Sequence, residues 1–274
     1  MPAPPPSPGV FAGADERTVF KAFKAKNTTT LAALAASDSK AATLAGFYAA
    51  LVMSDQGDHA GALRVLETVW HRTADFDHDA LFAKYAHSMT VTVDICEGVK
   101  VSAPGSRDTA GLLYAELLQS ARRTSDALDV VKQLTWGPAV AMSAADLMTG
   151  MSDWDGVLAV TQNIPVVDDG TALLAVYRAR AFRATGLLDA AKECLRPALA
   201  ARIKDSGVRA EATLERARIN QLQGHIAAAR KDVESVLAID ATNSDARTLL
   251  TELESKTTSA KSTQDPDGLN SEQR

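Results

Sequence analysis

The sequence has few of the residues on which disulfide-rich domains, metal sites and membrane segments depend. Only two cysteines occur, Cys96 and Cys194, so neither a disulfide framework nor a cysteine-ligated zinc site is expected. The longest uncharged stretch near the start, residues 41–54, is shorter than the roughly 20 apolar residues that a membrane span requires. No basic segment followed by an apolar run opens the chain, so we predict a cytoplasmic protein without a secretory signal.

An excess of positive charge is also lacking. The sum of 29 lysines and arginines against 34 aspartates and glutamates gives a net charge of −5, which argues against nucleic-acid binding. Aromatic residues make up only 5% of the chain, so small and aliphatic side chains must fill its interior. Alanine, the strongest intrinsic helix former, is the commonest residue and favours an all-α protein.

Recognisable catalytic signatures are scarce as well. The common phosphate-binding, dinucleotide-binding, zinc-protease and esterase motifs do not occur. Ser37 and Lys40 match an S-x-x-K pattern, but its companion motifs are missing, and a helix cap is the better explanation of this serine. We therefore predict a protein that is not an enzyme and that uses no cofactor or metal.

The composition divides the chain into three parts. Residues 1–14 are rich in proline and glycine and are expected to form a flexible linker, which leaves open that the chain is part of a longer protein. Residues 15–256 carry apolar positions at helical spacing, as in 171–185 and 209–223. Residues 257–274 are polar and are expected to be a disordered tail.

One segment departs from the helical pattern. In residues 89–103, Val91, Val93 and Ile95 alternate with polar residues before Glu97 and Gly98, and alternation resumes afterwards. This pattern predicts a small β-hairpin inserted among helices. A degenerate helix rich in β-branched residues remains the alternative.

A short sequence motif recurs between helical segments. A glycine is followed five residues later by an alanine, at 57 and 62, at 186 and 191, and at 224 and 229. Glycine can end a helix in the left-handed conformation, and alanine lets the next helix approach closely. Weaker copies place Ala127 and Val157 at the position of that alanine.

At these positions the sequence resembles the tetratricopeptide repeat, a helix–turn–helix unit of about 34 residues. The small residue typical of the first helix falls seven residues before each glycine, at Ala50, Ala179 and Ala217. The large residue three positions further on falls at Met53 and Phe182, whereas Asn220 departs from the pattern. The resemblance is strongest over 43–74, 172–202 and 210–242 and weaker over 108–134 and 138–166. It implies an α-solenoid of divergent units.

In this family the first helix of each unit lines a concave groove, which implies a set of partner-binding residues. Near the N-terminus they form an apolar floor of Leu44, Phe47 and Leu51. Later units supply Leu173, Val176, Arg180, Arg183, Leu214, Arg218 and Gln221. The three arginines would form a basic patch suited to carboxylates. Alternatively, these arginines pair with neighbouring glutamates.

The resemblance implies a non-enzymatic scaffold that binds a protein or peptide partner, with an acidic partner suited to the arginines. The family's well-known clamp for C-terminal carboxylates has lysine and asparagine where this chain has Val176 and Arg180, so that specific partner is not implied. Two alternatives remain open: a self-associating structural protein, with Trp136 or Trp154 in a homo-oligomer contact, and an accessory domain of a larger, possibly enzymatic protein.

Overall fold

The computed structural model describes residues 7–9, 12–72, 76, 78–96, 99–200 and 202–262. These residues form fourteen α-helices and one two-stranded antiparallel sheet. The chain divides into two compact units, Met1–Met151 and Ser152–Arg274. No helix in the described ranges is long and apolar enough to cross a membrane.

The first unit holds eight helices and both strands of the described structure. Its elements are α1 (Ala14–Lys24), α2 (Thr28–Ala36), α3 (Ala42–Asp55), α4 (His59–Arg72), α5 (Ala80–Ala86), β1 (Thr90–Cys96), β2 (Val99–Pro104), α6 (Arg107–Ser120), α7 (Thr124–Val131) and α8 (Pro138–Gly150). Consecutive helices pack as pairs, α1 with α2, α3 with α4 and α6 with α7.

The second unit contains six helices within the described residues. They are α9 (Trp154–Thr161), α10 (Asp169–Ala184), α11 (Leu188–Ala198), α12 (Ser206–Leu222), α13 (Ile226–Ile239) and α14 (Ser244–Ser262). Helix α10 pairs with α11, α12 pairs with α13, and α14 packs on α13. This succession of helical pairs confirms the predicted all-α repeat architecture.

A left-handed residue ends the first helix of each pair. Gly57, Gly186 and Gly224 have φ values of 80°, 82° and 78°, as the recurring sequence motif predicts. Three non-glycine residues, Lys26, Arg122 and Ser152, complete a set of six such turns; Asn163 also takes this conformation, but the residue five positions later, Asp168, is exposed. The residue five positions after each of these six is completely buried; the buried set is Leu31, Ala62, Ala127, Val157, Ala191 and Ala229. The small residues of the first helices, Ala50, Ala179 and Ala217, are also completely buried.

The predicted hairpin is confirmed. Strands β1 and β2 pair antiparallel, with Val93 opposite Val101 and Asp94 opposite Lys100. Val91, Val93 and Ile95 are buried, because successive side chains of a strand point to opposite faces and β1 packs against α6 and α8. The predicted turn at Glu97 and Gly98 lies outside the described residues.

The C-terminal end is closed by α14, which buries Ala246, Leu249 and Leu253 against α12 and α13. Residues 257–262, which the composition places in a disordered tail, belong to this helix, since an anchored helix extends at small cost per added residue. Residues 263–274 lie outside the described residues, as do residues 1–6, 10 and 11 of the predicted linker. Both disorder predictions stay untested.

Asn220 stands where the repeat pattern has a large side chain, and its contacts explain this difference. Asn220 is buried and donates a hydrogen bond to Asp232 Oδ2 on α13, 3.1 Å away. Arg216 donates to both oxygens of the same carboxylate, at 3.0 and 2.7 Å. A polar network therefore replaces the large side chain expected here, and buried polar groups need such partners.

Replacing Arg122 by glycine tests the conformational role of the turns. Arg122 is exposed and has φ 62°, and a non-glycine residue in this conformation costs about 1–2 kcal/mol. We expect Arg122→Gly to raise the free energy of unfolding by about 1 kcal/mol, after the entropic cost of glycine is subtracted. Gly57→Ala should lower it by a similar amount. Urea denaturation measures both, and a change of the same sign in the two variants would contradict this explanation.

Candidate functional site

The apolar residues of the predicted groove are placed in the interior of their units. Leu44, Phe47 and Leu51 are buried, and the ring of Phe47 packs edge-on against Phe82 of α5. In the second unit, Leu173, Val176 and Leu214 are buried as well. These six side chains are therefore core residues and do not offer an open apolar floor, because the short neighbouring side chains let the helices close over them.

The three arginines predicted to form a patch do come together, around a buried carboxylate. Glu215 of α12 is completely buried. Its Oε1 accepts a hydrogen bond from Arg183 Nε, and its Oε2 lies 3.6 Å from Arg218 Nη1. Arg180 Nε lies 3.9 Å from the same Oε2, a distance for an ion pair but not for a hydrogen bond.

Arg180 and Arg218 each have a further acidic partner. Arg180 donates to Glu211 of α12, and Arg218 donates to Asp245 of α14 at 2.6 Å. Three guanidinium groups thus meet three carboxylates, and the charges balance within the cluster. The arrangement corresponds to the alternative in which the arginines pair with neighbouring acidic residues, and no uncompensated basic patch forms.

The cluster borders an open cleft of about 350 Å³ in the second unit. Arg183, Arg218 and Gln221 line it together with residues of α14. Gln221 donates to Glu252 at 3.2 Å on the exposed surface. Leu222, also at the cleft, is 56% exposed. Three of the ten predicted groove residues therefore share one concave surface with an exposed leucine.

Arg183 differs from its neighbours in how it is held. Its Nε donates to the buried Glu215, and its two terminal amino groups donate no hydrogen bond to any described residue. The side chain is 27% exposed. A guanidinium fixed at Nε presents its remaining donors in a constant direction, which suits bidentate recognition of a planar anion.

The sequence pattern did not identify Glu215 and Asp245, two of the acidic residues with which the arginines form ion pairs. Glu215 lies three residues before Arg218 and four after Glu211, so helical spacing places all three on neighbouring positions of α12. That spacing is a signal for pairing within α12. The pairing with Arg183 on α10 and Asp245 on α14 depends on how the helices pack.

No cluster of three or more histidine, cysteine, aspartate or glutamate side chains in the described part of the chain is arranged to hold a metal ion. Asp79, in the acidic loop before α5, instead caps that helix by accepting hydrogen bonds from the backbone N–H groups of Leu81 and Phe82, both at 3.0 Å.

The fold is similar to solved tetratricopeptide-repeat structures. A tetratricopeptide repeat protein from Parabacteroides merdae aligns with a TM-score of 0.50 at 12% identity, over 86% of this chain and 78% of that chain. The N-terminal domain of the EccA1 ATPase, from the ESX-1 secretion system of Mycobacterium tuberculosis, aligns with a TM-score of 0.53 at 16% identity, over 81% and 89%. No protein-family model and no curated protein sequence matches the chain. The chain thus has a divergent tetratricopeptide-like fold, and at these identities the similarity concerns the fold alone.

Removal of the buried carboxylate tests the cluster. We expect Glu215→Ala to lower the free energy of unfolding by about 3 kcal/mol, because it leaves three arginines without their shared partner. Glu211→Ala removes a partly exposed partner of Arg180 and should cost less than about 1 kcal/mol. Chemical denaturation compares the two variants. Equal losses would mean that Glu215 does not organise the arginines.

Proposed function

We propose that the chain is a non-enzymatic interaction scaffold that binds a peptide or an extended segment of a protein partner at the cleft of the second unit. The observation that carries this proposal is the combination, in one open cleft, of Arg183, Arg218 and Gln221 with the exposed Leu222. Interfaces are typically formed by an apolar anchor surrounded by polar groups that fix the register. The tetratricopeptide-like fold supports the same function.

The polar contacts around the cleft favour a partner that carries a carboxylate. The terminal amino groups of Arg183 are available to an anion, and the exposed pair between Gln221 and Glu252 can be exchanged at little cost for an equivalent contact with the partner. Because the cluster itself is charge-balanced, the attraction acts at close range through Arg183. Long-range attraction by net positive charge is not part of this mechanism.

Leu222 provides the sharpest test, because the chain offers a matched control. Leu187 is 55% exposed in the same unit, at the turn between α10 and α11, and is not among the residues that line the cleft. We expect Leu222→Arg to reduce partner capture at least tenfold, whereas Leu187→Arg should leave it unchanged. The tagged full chain and both variants are used to capture proteins from a lysate of the source cell, with quantification by mass spectrometry.

Two results would contradict the proposal. One is that no protein is enriched by the wild-type chain over the tag alone. The other is that both leucine variants retain, or both lose, the same proteins while circular dichroism shows that each is folded. The arginines are less suitable for this test, because a reversed charge at Arg183 would face the buried Glu215 and destabilise the unit.

Self-association is the second candidate, and one observation favours it. Trp136, in the loop before α8, is 58% exposed, and large exposed aromatic side chains are enriched at interfaces. Light scattering of the chain gives either the 29.0 kDa of a single copy or a multiple of it. A multiple that returns to the single mass in Trp136→Ser would favour the homo-oligomer over the adaptor. A role as an accessory domain of a larger protein is compatible with either candidate.

A further inference from the structure

The hairpin and its neighbouring helices enclose a second cleft, of about 530 Å³, in the first unit. Strand β1 contributes Asp94, α6 contributes Glu116 and Gln119, and α8 contributes Asp146. Strand β1 packs against both of these helices. The cleft therefore lies where the hairpin is attached to the rest of the unit.

Three carboxylates line this cleft, and one ammonium group, that of Lys100, pairs with one of them. Asp94 forms a cross-strand ion pair with Lys100, whose Nζ lies 2.9 Å from Asp94 Oδ1. Asp146 accepts a hydrogen bond from Gln119 Nε2 at 2.8 Å. Glu116 is half-buried in the same cleft. The register of the hairpin is also irregular here, between Asp94 and Cys96, so the ladder is disrupted next to Asp94.

The charged groups on the other side of α6 face away from Glu116. Glu67 of α4, Arg123 immediately before α7 and Asp126 of α7 act instead on Tyr114, which is about 200° around the helix from Glu116. On the hairpin side, Asp94 and Lys100 are the charges that act on Glu116. Glu97, at the tip of the hairpin, lies outside the described residues.

Burial raises the pKa of the Glu116 carboxyl to about 7. The negative charge of Asp94 adds to this shift, and Lys100 opposes it. Glu116 therefore changes charge close to neutral pH, far above the ordinary value for glutamate. Below that pH it is a neutral group beside the hairpin, and above it the cleft holds an additional desolvated negative charge.

We propose that the hairpin is a pH-dependent clasp, which is held on α6 and α8 while Glu116 is protonated and is released when Glu116 ionises beside Asp94. An ionised carboxylate gains hydration when the hairpin moves away, so the open state is favoured at higher pH. The closed state retains a proton that the open state has lost. The equilibrium therefore favours the closed hairpin less as the pH rises from about 4.5 to about 7. Above this window the effect is complete.

The expected size of the effect follows from the two pKa values. If Glu116 returns to its ordinary value when the hairpin opens, the opening equilibrium increases about tenfold between pH 6 and pH 8. Hydrogen exchange of the β1 and β2 amides measures it as a protection factor, in which the intrinsic pH dependence of exchange is divided out. The wild-type hairpin should lose about tenfold protection over this range.

Substitutions assign the effect to Glu116. Glu116→Gln keeps the neutral form and should give a hairpin whose protection is the same at pH 6 and pH 8. Glu234→Gln, at an exposed position of α13, is the matched control and should behave as the wild type. Protection that does not change with pH in the wild type, or that falls equally in Glu116→Gln, would overturn the proposal.

The neighbouring charges give a second test that does not depend on how firmly each variant holds the hairpin. Carbon NMR of the Glu116 carboxyl should show a titration midpoint near 7 in the wild type. Asp94→Asn should lower this midpoint and Lys100→Gln should raise it, because the first removes a like charge and the second an opposite one. A midpoint near 4.5 in the wild type, or shifts of the reverse sign, would exclude Glu116 as the switch.

Discussion

The helix pairs depend on the close contact that follows each left-handed turn. At six turns, a residue with positive φ is followed five positions later by a side chain with no exposed surface. Four of these six buried residues are alanines, so the backbones of the two helices can approach more closely than larger side chains would allow. The remaining two are Leu31 and Val157, which follow Lys26 and Ser152, turn residues that are not glycine. Packing at this position brings the two helices of a pair together.

Buried carboxylates supply a second kind of connection in the C-terminal unit. Glu215 joins α12 to α10 through Arg183, and Asp232 joins α13 to α12 through Arg216 and Asn220. Such groups contribute little net stability compared with apolar packing, but an unpaired charge in the same place would be costly. They therefore specify which helices meet and in what register. In the same arrangement Arg183 borders the open cleft, which links the packing of the unit to the proposed function.

The repeat could be read from the sequence because its determinants are local. Gly57, Gly186 and Gly224 mark their turns by residue type, and the alternation of Val91, Val93 and Ile95 marks the hairpin. Lys26 gives no such signal, since lysine rarely takes positive φ, and the pair formed by α1 and α2 is recognised as a repeat only from its conformation. The short helix α5 likewise lies between the repeat-like region 43–74 and the predicted hairpin, and the repeat pattern does not mark it.

The candidate site was predictable only in part, for a physical reason. The resemblance to the tetratricopeptide repeat places Arg180, Arg183 and Arg218 in one region, but it does not determine which acidic residues of other helices reach them. Burial of Leu44, Phe47 and Leu51 depends in the same way on tertiary packing, as does the environment of Glu116. The charge state and exposure of a side chain depend on how the unit packs, whereas the spacing of residues can be read from the sequence alone.

Two adjacent alanines allow the central contact to be measured directly. Ala229 is completely buried five residues after Gly224, whereas Ala228 is exposed. If close approach at this position holds the pair α12 and α13 together, Ala229→Arg should lower the free energy of unfolding by about 3 kcal/mol or more. Ala228→Arg should change it by less than about 0.5 kcal/mol. Denaturant titrations that give the same stability for the two variants would contradict the account.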